Sequence, residues 1–401
     1  MQINHIVTSR QGGAFISAKS LHLGLIEKGI DSRIYLRNSP EMEDSVAGEN
    51  PIRITFGSRS TSRALTAFQA KFVQRGKELI TTFGTKTSYS WGKMPANSIL
   101  HIHSIYNFVN SAVLENWVSQ GRTLVFQLHD QRFLTGGCHH DLGCKGFESQ
   151  CANCPQVNGI FRNYVTKEKK RINSILSQKN VHIIAPSQFL LKKASKLIPR
   201  NRLHLIPNLP DKIHPITGLE RSKFRNQVKL SQADFVLGFC AANIDSPYKN
   251  FAYFKEIVKE LKKIWTINLP NLKVVLVGEG GMEFRHEDLI RFRSNNNNEV
   301  RTHIAAMDLL LVPSKVDNVP NVIVEALLEG TPVLASRVGG IPDLLDHLEG
   351  DVFLTGVPLI DAIKIVQMVK SSNRELIKSR SREKFDRNRI MKSYLDFYDS
   401  L

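Results

Sequence analysis

The chain has 401 residues, 42% of them hydrophobic and 23% charged, which is room for two domains with full cores. This composition excludes a disordered chain, and no run approaches the ~20 apolar residues of a membrane-spanning helix. Lys and Arg outnumber Asp and Glu by 54 to 37, a net charge of +17, so the sought partner is acidic: nucleic acid, an anionic membrane or an acidic substrate.

The first residues read as a predicted strand at 3–8 with no features of a signal peptide, so no leader is expected and the protein is expected in the cytoplasm. A turn with Gly12 and Gly13 follows, then a helix at 16–28 with Ala18, Leu21, Leu25 and Ile26 on one side. Gly29 stops it, and 34–36 is the next strand. This is a β-α-β unit with glycines in its first loop. The spacing is not G-x-G-x-x-G, so a nicotinamide cofactor has little support.

Residues 59–80 have helical spacing, with Leu65, Phe68, Phe72 and Leu79 apolar. Arg59, Arg63, Lys71, Arg75 and Lys77 face a single acid, Glu78. Such a helix either packs on a core with its basic face in solvent or docks on anionic lipid headgroups, and the overall charge favours docking. Strand 98–103 ends in His101 and His103, and strand 124–130 ends in His129 and Asp130. A lone histidine of this kind is usually a satisfied structural one. Two sheet edges that both end in histidine favour a cleft.

Cys138, Cys144, Cys151 and Cys154 follow as C-x5-C-x6-C-x2-C, with His139 and His140 beside the first. Four soft ligands in a reducing compartment suggest tetrahedral structural zinc rather than disulfides. The other reading is four reduced cysteines that bind nothing. A basic helix at 161–177, a strand at 181–185 and a last strand ending at Asn208 come next. The polar and basic stretch 211–234 is expected to be a linker.

A strand at 235–240 is followed by a loop and a helix from 250 to 264, with Lys249 at the helix start. A cation there opposes the helix dipole, and a bound diphosphate would resolve the conflict. Strand 272–277 leads to Gly278, Glu279, Gly280 and Gly281. The asparagine run 295–298 is expected to be a loop, and 300–307 a helix. The stretch 309–345 then gives strand, polar turn, helix, strand, glycine turn and helix, the grammar of a doubly wound parallel sheet. Gly330 is placed to end the first of these helices in a left-handed conformation. Asp317 lies at the C-terminal edge of the first strand and Glu325 about a turn into the helix. Open α/β sheets bind ligands at that edge. The free N–H groups of the helix start suit phosphate. The two carboxylates would repel it, so they are assigned to sugar or ribose hydroxyls. The tail has Ile390, Met391, Tyr394, Leu395, Tyr398 and Leu401 on one face.

The block VPSKVDNVPNVIVEALLEGTPVLASRVGGIPD resembles the donor-binding signature of family 4 glycosyltransferases, which are retaining, metal-independent enzymes of the GT-B fold. The usual E-x7-E is here Asp317 followed by Glu325. The stretch GGCHHDLGCKGFESQCANCPQ is similar to the polysaccharide-synthesising, colanic-acid-type branch. The resemblance implies two Rossmann-like domains, an acceptor-side domain at 1–208 completed by 386–401 and a donor domain at 209–385. It implies catalytic roles for His129, Asp317 and Glu325. It places Gly12, Gly13, Lys249, Gly278, Glu279, Gly280, Asn318, Val319, Pro320, Asn321 and Glu325 on the donor, with His103 and Asp130 lining the cleft. The family's phosphate-binding Arg, five residues before the Lys, falls at Ile244.

The implied partners are a UDP or GDP sugar, a lipid-linked or oligosaccharide acceptor, and an anionic membrane surface met through 59–80. Nucleic acid is not among them, catalysis needs no metal, and the enzyme would work peripherally on the inner membrane face. Two rivals differ in class. One is an inactive sugar-nucleotide-binding or scaffold subunit, suggested by Asp317 and the missing Arg. The other is a nucleic-acid-binding protein, which the charge suggests but which lacks aromatic-basic platforms.

Overall fold

A computed structural model describes residues 1–10, 12–37, 52–54, 68–73, 94–106, 108–212, 215–293, 296–348, 352–371 and 373–401. They divide into two units, Met1–Asp211 with Arg387–Leu401, and Lys212–Asp386.

The first unit is built on a seven-stranded sheet in the order β3-β2-β1-β4-β5-β6-β7. Its strands are β1 (Gln2–Val7), β2 (Asp31–Arg37), β3 (Ile52–Ile54), β4 (Ile99–Ile102), β5 (Leu124–Gln127), β6 (Val181–Ala185) and β7 (Leu203–Leu205). Every neighbouring pair is parallel. The central strands are buried on both faces, as at Ile3, Ile6, Ile102, Phe126 and Ile184. That is why they read as continuous apolar runs rather than alternating ones. The helix Gly13–Glu27 buries Phe15, Ala18, Leu21 and Leu25. Ile26, expected on the same face, is 45% exposed. Gly24 takes the inner position, where an added Cβ would stand 3.0 Å from atoms of Leu209 and Met391.

The helix Arg387–Asp399 belongs to this first unit. It buries Ile390, Met391, Tyr394, Phe397 and Tyr398 against β1, β4, β5 and β6 side chains. Phe397 was not among the expected apolar set, and Leu401, which was, is 39% exposed just beyond the helix end. Tyr398 donates to or accepts from His101 Nδ1 at 2.5 Å, and the Tyr394 hydroxyl donates to Gln127 Oε1 at 3.3 Å.

The second unit has a five-stranded sheet, β10-β9-β8-β11-β12, formed by β8 (Phe235–Asn243), β9 (Leu272–Glu279), β10 (Leu289–Phe292), β11 (Leu309–Val312) and β12 (Val333–Ala335). It too is parallel throughout. Two expectations fail here. The stretch expected to be a linker contains the helix Gly218–Gln227, opened by a capping box of Thr217 and Glu220. Its Arg225 is 1% exposed, yet it donates to Asp308, Ala306 O, Ser231 O and Asp234 O. A buried guanidinium whose two terminal nitrogens are bonded to acceptors is core, although its sequence signal is that of solvent. Of the asparagine run, Asn297 and Asn298 are helical, while Asn295 lies outside the described residues. Asn296 accepts from the Asn298 N–H and caps the helix Asn297–Ala306, a role for which asparagine is well suited.

Of 59–80, only Phe68 to Val73 lie within the described residues, with a π-helical turn at Gln69–Val73. The remainder of that expected helix lies outside them. Among the described residues no helix is long and apolar enough to cross a membrane.

Strand order reverses between β1 and β4 in the first unit and between β8 and β11 in the second. At such a switch point the loops leaving adjacent strands diverge, and a crevice opens at the C-terminal ends. The packing of the last helix is directly testable. Tyr394→Ala should destabilise the fold by about 3–5 kcal/mol, the range for truncating a buried aromatic, whereas Leu401→Ala should change it little. Urea unfolding checks both, and equal small effects would contradict this packing.

Candidate functional site

In the second unit the switch point is framed by the loop after β8 and the loop after β11. Lys249 Nζ stands 2.6 Å from Asp317 Oδ2. Ser314 Oγ donates to the same oxygen at 3.3 Å, and the Asn318 N–H donates to Oδ1 at 3.1 Å. The Lys315 N–H donates to Tyr248 O at 2.7 Å and stitches the two loops again. The dipole conflict expected at Lys249 is therefore met by a carboxylate of the protein itself. This also alters the expectation for Asp317. Its carboxylate, one methylene shorter than glutamate, turns back on its own loop and on Lys249 instead of standing open for a hydroxyl.

The helix Asn321–Leu328 begins behind Pro320, which supplies no side-chain cap. The Ile323 N–H donates to Pro320 O at 3.0 Å, and the first amides of a helix have no intrahelical carbonyl to bond. Asn318 and Pro320 are buried, while Val319, Asn321 and Glu325 are half-buried. Burial pushes the Cys240 thiol up, the charge of Glu325 adds to that, and Lys249 opposes it. Cys240 at the end of β8 thus feels both Glu325 and Lys249. Its sequence context, an apolar strand, gave no sign of this.

The glycines at the end of β9 and in the turn after it are set by close contacts. A Cβ on Gly278, at φ +129, would fall 1.7 Å from Ala241 O, and one on Gly280 would meet Asp245 Oδ2 at 2.4 Å. Asp245 accepts the Gly281 N–H on both carboxylate oxygens at 3.0 Å. Gly339 serves β12 in the same way, since its Cβ would lie 1.7 Å from Asp317 O. Glu279 points its carboxylate to Arg293 Nε at 3.8 Å, both exposed. Ile244, where the resemblance places a second cation, is buried among apolar side chains.

In the first unit the switch point between β1 and β4 holds a file of histidines. Pairing of β1 with β4 sets His5 opposite His101. His5 Nδ1 lies 3.0 Å from His103 Nε2, and His103 Nδ1 lies 3.0 Å from His129 Nε2. One ring nitrogen from each of His5, His101 and His103 lies within 4.8 Å of the other two. Burial pushes His5 and His103 well below the ordinary imidazole value, neighbouring histidines adding to it. Burial lowers His101 to about 3, and it lowers His129 to about 4 against an opposing pull from Asp130. These rings are neutral at pH 7, and each can pass one N–H to the next.

Asp130 is turned away from this file. Burial pushes its carboxyl up, but His139, the Arg132 N–H and His140 together bring it below the ordinary value. It bonds His139 Nδ1 and accepts the Arg132 N–H at 2.7 Å. Sequence reading missed His5 and the role of His139. The first stands in an apolar strand, and the second was counted only as a neighbour of Cys138. Gly12 has φ 87 and starts the helix Gly13–Glu27, which has no side-chain cap. Gly12, Gly13, His103, His129 and Asp130 thus gather in the first unit, and the other expected donor residues in the second. The four cysteines line one cavity of the first unit.

The histidine file predicts a pH response. Each of its members takes up a proton more readily in the unfolded chain, whose value is about 6.5, than in the fold. Stability is therefore full above that value and falls as pH drops from about 6.5 toward about 4, where His129 titrates in the fold. The melting temperature should decline between pH 6.5 and 5, before most carboxylates titrate, and His103→Asn should flatten that decline. A wild-type melting temperature constant over this range would contradict buried neutral imidazoles.

Comparison with known proteins adds four findings. Residues 234–369 match the family model described as Glycosyl transferases group 1. The chain is 22% identical to WcaC of Escherichia coli (strain K12), a candidate glycosyl transferase of colanic acid biosynthesis, over 98% of this chain and 97% of that protein. It is 26% identical to the lipopolysaccharide 1,2-N-acetylglucosaminetransferase of Salmonella typhimurium, over 50% of this chain and 54% of that one. Among solved structures, Anabaena HepE in complex with UDP-glucose superposes with a TM-score of 0.67 at 16% identity, covering 100% of both chains.

Proposed function

We propose that this chain, a glycosyltransferase of the GT-B fold whose residues 234–369 form a group 1 glycosyltransferase domain, moves a sugar from a nucleotide diphosphate to a surface glycan with retention of configuration. The observation that carries this reading is the Lys249–Asp317 pair, 2.6 Å long, at the switch point beside the uncapped helix start of Asn321. The ammonium keeps two further N–H donors. Aimed with the helix amides at a diphosphate, they stabilise the charge that grows on the leaving phosphate. Asp317 is then a positioning residue that holds Lys249, and Glu325 takes the donor hydroxyls.

The chemistry follows from what the site offers. Asp317 is engaged by Lys249, Ser314 and Asn318, which argues against its use as a covalent nucleophile. The bond from the anomeric carbon to phosphate breaks, and the bond to the acceptor oxygen forms on the same face. The acceptor proton passes to the departing phosphate. No metal is needed where Lys249 supplies the positive charge. His129, kept neutral, donates or accepts a single hydrogen bond to the transferred sugar.

Support for a UDP sugar comes from HepE, solved with UDP-glucose. Support for a polysaccharide or lipopolysaccharide product comes from the names of WcaC and the Salmonella enzyme. A lipid-linked acceptor would bring the enzyme to an anionic membrane face. In keeping with that, Phe68 and Phe72 are exposed, and Lys71 Nζ lies 5.4 Å over the Phe72 ring.

Lys249→Ala should weaken UDP or GDP by about tenfold to a hundredfold, the worth of one charge-assisted hydrogen bond, and leave the nucleosides nearly unchanged. Calorimetric titration of diphosphate against nucleoside checks this, and equal losses for both would displace Lys249 from the phosphates. Membrane docking has its own test. The protein should sediment with anionic vesicles at low salt and be released at high salt, because the attraction fades with the Debye length. Equal binding to uncharged vesicles would contradict the electrostatic account.

A further inference from the structure

The loop that follows β5 carries Cys138, Cys144, Cys151 and Cys154 around a single cavity, together with Gly146, Phe147 and Val165. Each of the last three of these four sulfurs receives backbone donors. The Gly146 N–H points to Cys144 Sγ at 3.4 Å. The Gly136 N–H serves Cys151, and the Gln156 and Val157 N–H groups serve Cys154. The Cys138 thiol donates to Cys154 as well. Cys151 holds a left-handed backbone at φ 53, rare for a residue with a Cβ, and its N–H is fixed to Gly146 O at 3.0 Å. The C-x2-C pair is thereby bent into a knuckle.

Four soft sulfur ligands around one cavity make a donor set suited to a single tetrahedral cation. The nearby ammonium, Lys169, is buried and committed to Leu134 O at 2.7 Å. We propose that Cys138, Cys144, Cys151 and Cys154 hold one zinc ion as a structural site. Binding displaces the thiol protons to solvent and changes no oxidation state. Tetrahedral coordination asks the sulfurs to stand about 3.8 Å apart, from Zn–S bonds of about 2.3 Å; no three of them yet lie within 4.8 Å of one another, so binding draws the loop in around the ion. Cys138 and Cys154 are already in hydrogen-bond contact. Gly137 and Gly143, both at positive φ, flank the first two ligands and give the loop its freedom to close.

The site has a mechanical use that does not depend on the sugar chemistry. Cys154 packs with Val73, Val157 and Val165 in a small cluster apart from the main core. Asn158 accounts for two bonds to the turn before it, its N–H to Val73 O at 3.0 Å and its side chain to Phe72 O at 2.7 Å. Few buried apolar side chains hold this stretch, and a four-ligand metal would supply what the core does not.

Elemental analysis of protein purified without chelator or added metal should find about one zinc per chain. Titration of the thiols with a mercurial should release it in step, as read by a chromogenic chelator. Cobalt supplied in place of zinc should give the visible absorption of tetrahedral thiolate coordination. Cys151→Ser with Cys154→Ser should abolish both signals. Since a variant that does not fold would be silent, the wild type carries the decisive arm. A strong chelator should lower its melting temperature, and zinc, unlike magnesium, should restore it. Protein free of zinc, with four thiols that alkylate in the native state and an unchanged melting temperature, would overturn the proposal. So would an intact mass short by four hydrogens, the mark of two disulfides.

Discussion

The ammonium of Lys249 against the carboxylate of Asp317, 2.6 Å apart, is the contact on which the second unit's site depends. It joins the loop after β8 to the loop after β11, the two loops that a strand-order reversal sets on either side of a crevice. The pair is half-buried, so its attraction is less screened than on an open surface, and its desolvation is partly offset by Ser314 and the Asn318 amide. Around it the backbone leaves no slack. Gly278 abuts Ala241 O and Gly339 abuts Asp317 O so closely that a single methyl would drive the loops apart. A cation is thus held by a carboxylate of the protein itself, on the loop that leads into the helix Asn321–Leu328.

The first unit uses the same topology for different chemistry. Its reversal between β1 and β4 brings together histidines that are nearly a hundred residues apart in sequence, as at His5 and His103. Burial removes the charge from these rings, so they serve as hydrogen-bonding groups with fixed partners instead of as acids. His129 stands at the end of this file, half-buried, with its Nε2 bound to His103. A neutral imidazole in a set orientation can recognise a hydroxyl without attracting a phosphate to the wrong place.

Much of this was legible in the sequence because parallel strands buried on both faces are short apolar runs with glycine or proline between them. The stretch from Leu309 to Leu345 gave strand, helix and strand within a few residues of their observed bounds, and Gly330 ends its helix at φ 74 as expected. What failed was polar residues doing the work of a core. Arg225 looked like linker and is buried under four kinds of acceptor. Asn296 looked like loop and is a cap. Pairing across the sheet was also out of reach, since a one-dimensional pattern does not say that His5 faces His103 or that Asp317 is spent on Lys249. The last helix was seen as amphipathic, but Phe397 and Leu401 exchanged places because a helix end is where its face is least defined.

The most direct test of the diphosphate site is hydrogen exchange of the whole protein with and without UDP. Ligand held by Lys249 and the helix start of Asn321 should slow amide exchange in two segments, 241–251 and 313–325. The sheet strands far from the switch point should be unaffected. Protection confined to other segments, or none at a UDP concentration that raises the melting temperature, would place the nucleotide elsewhere and contradict the account.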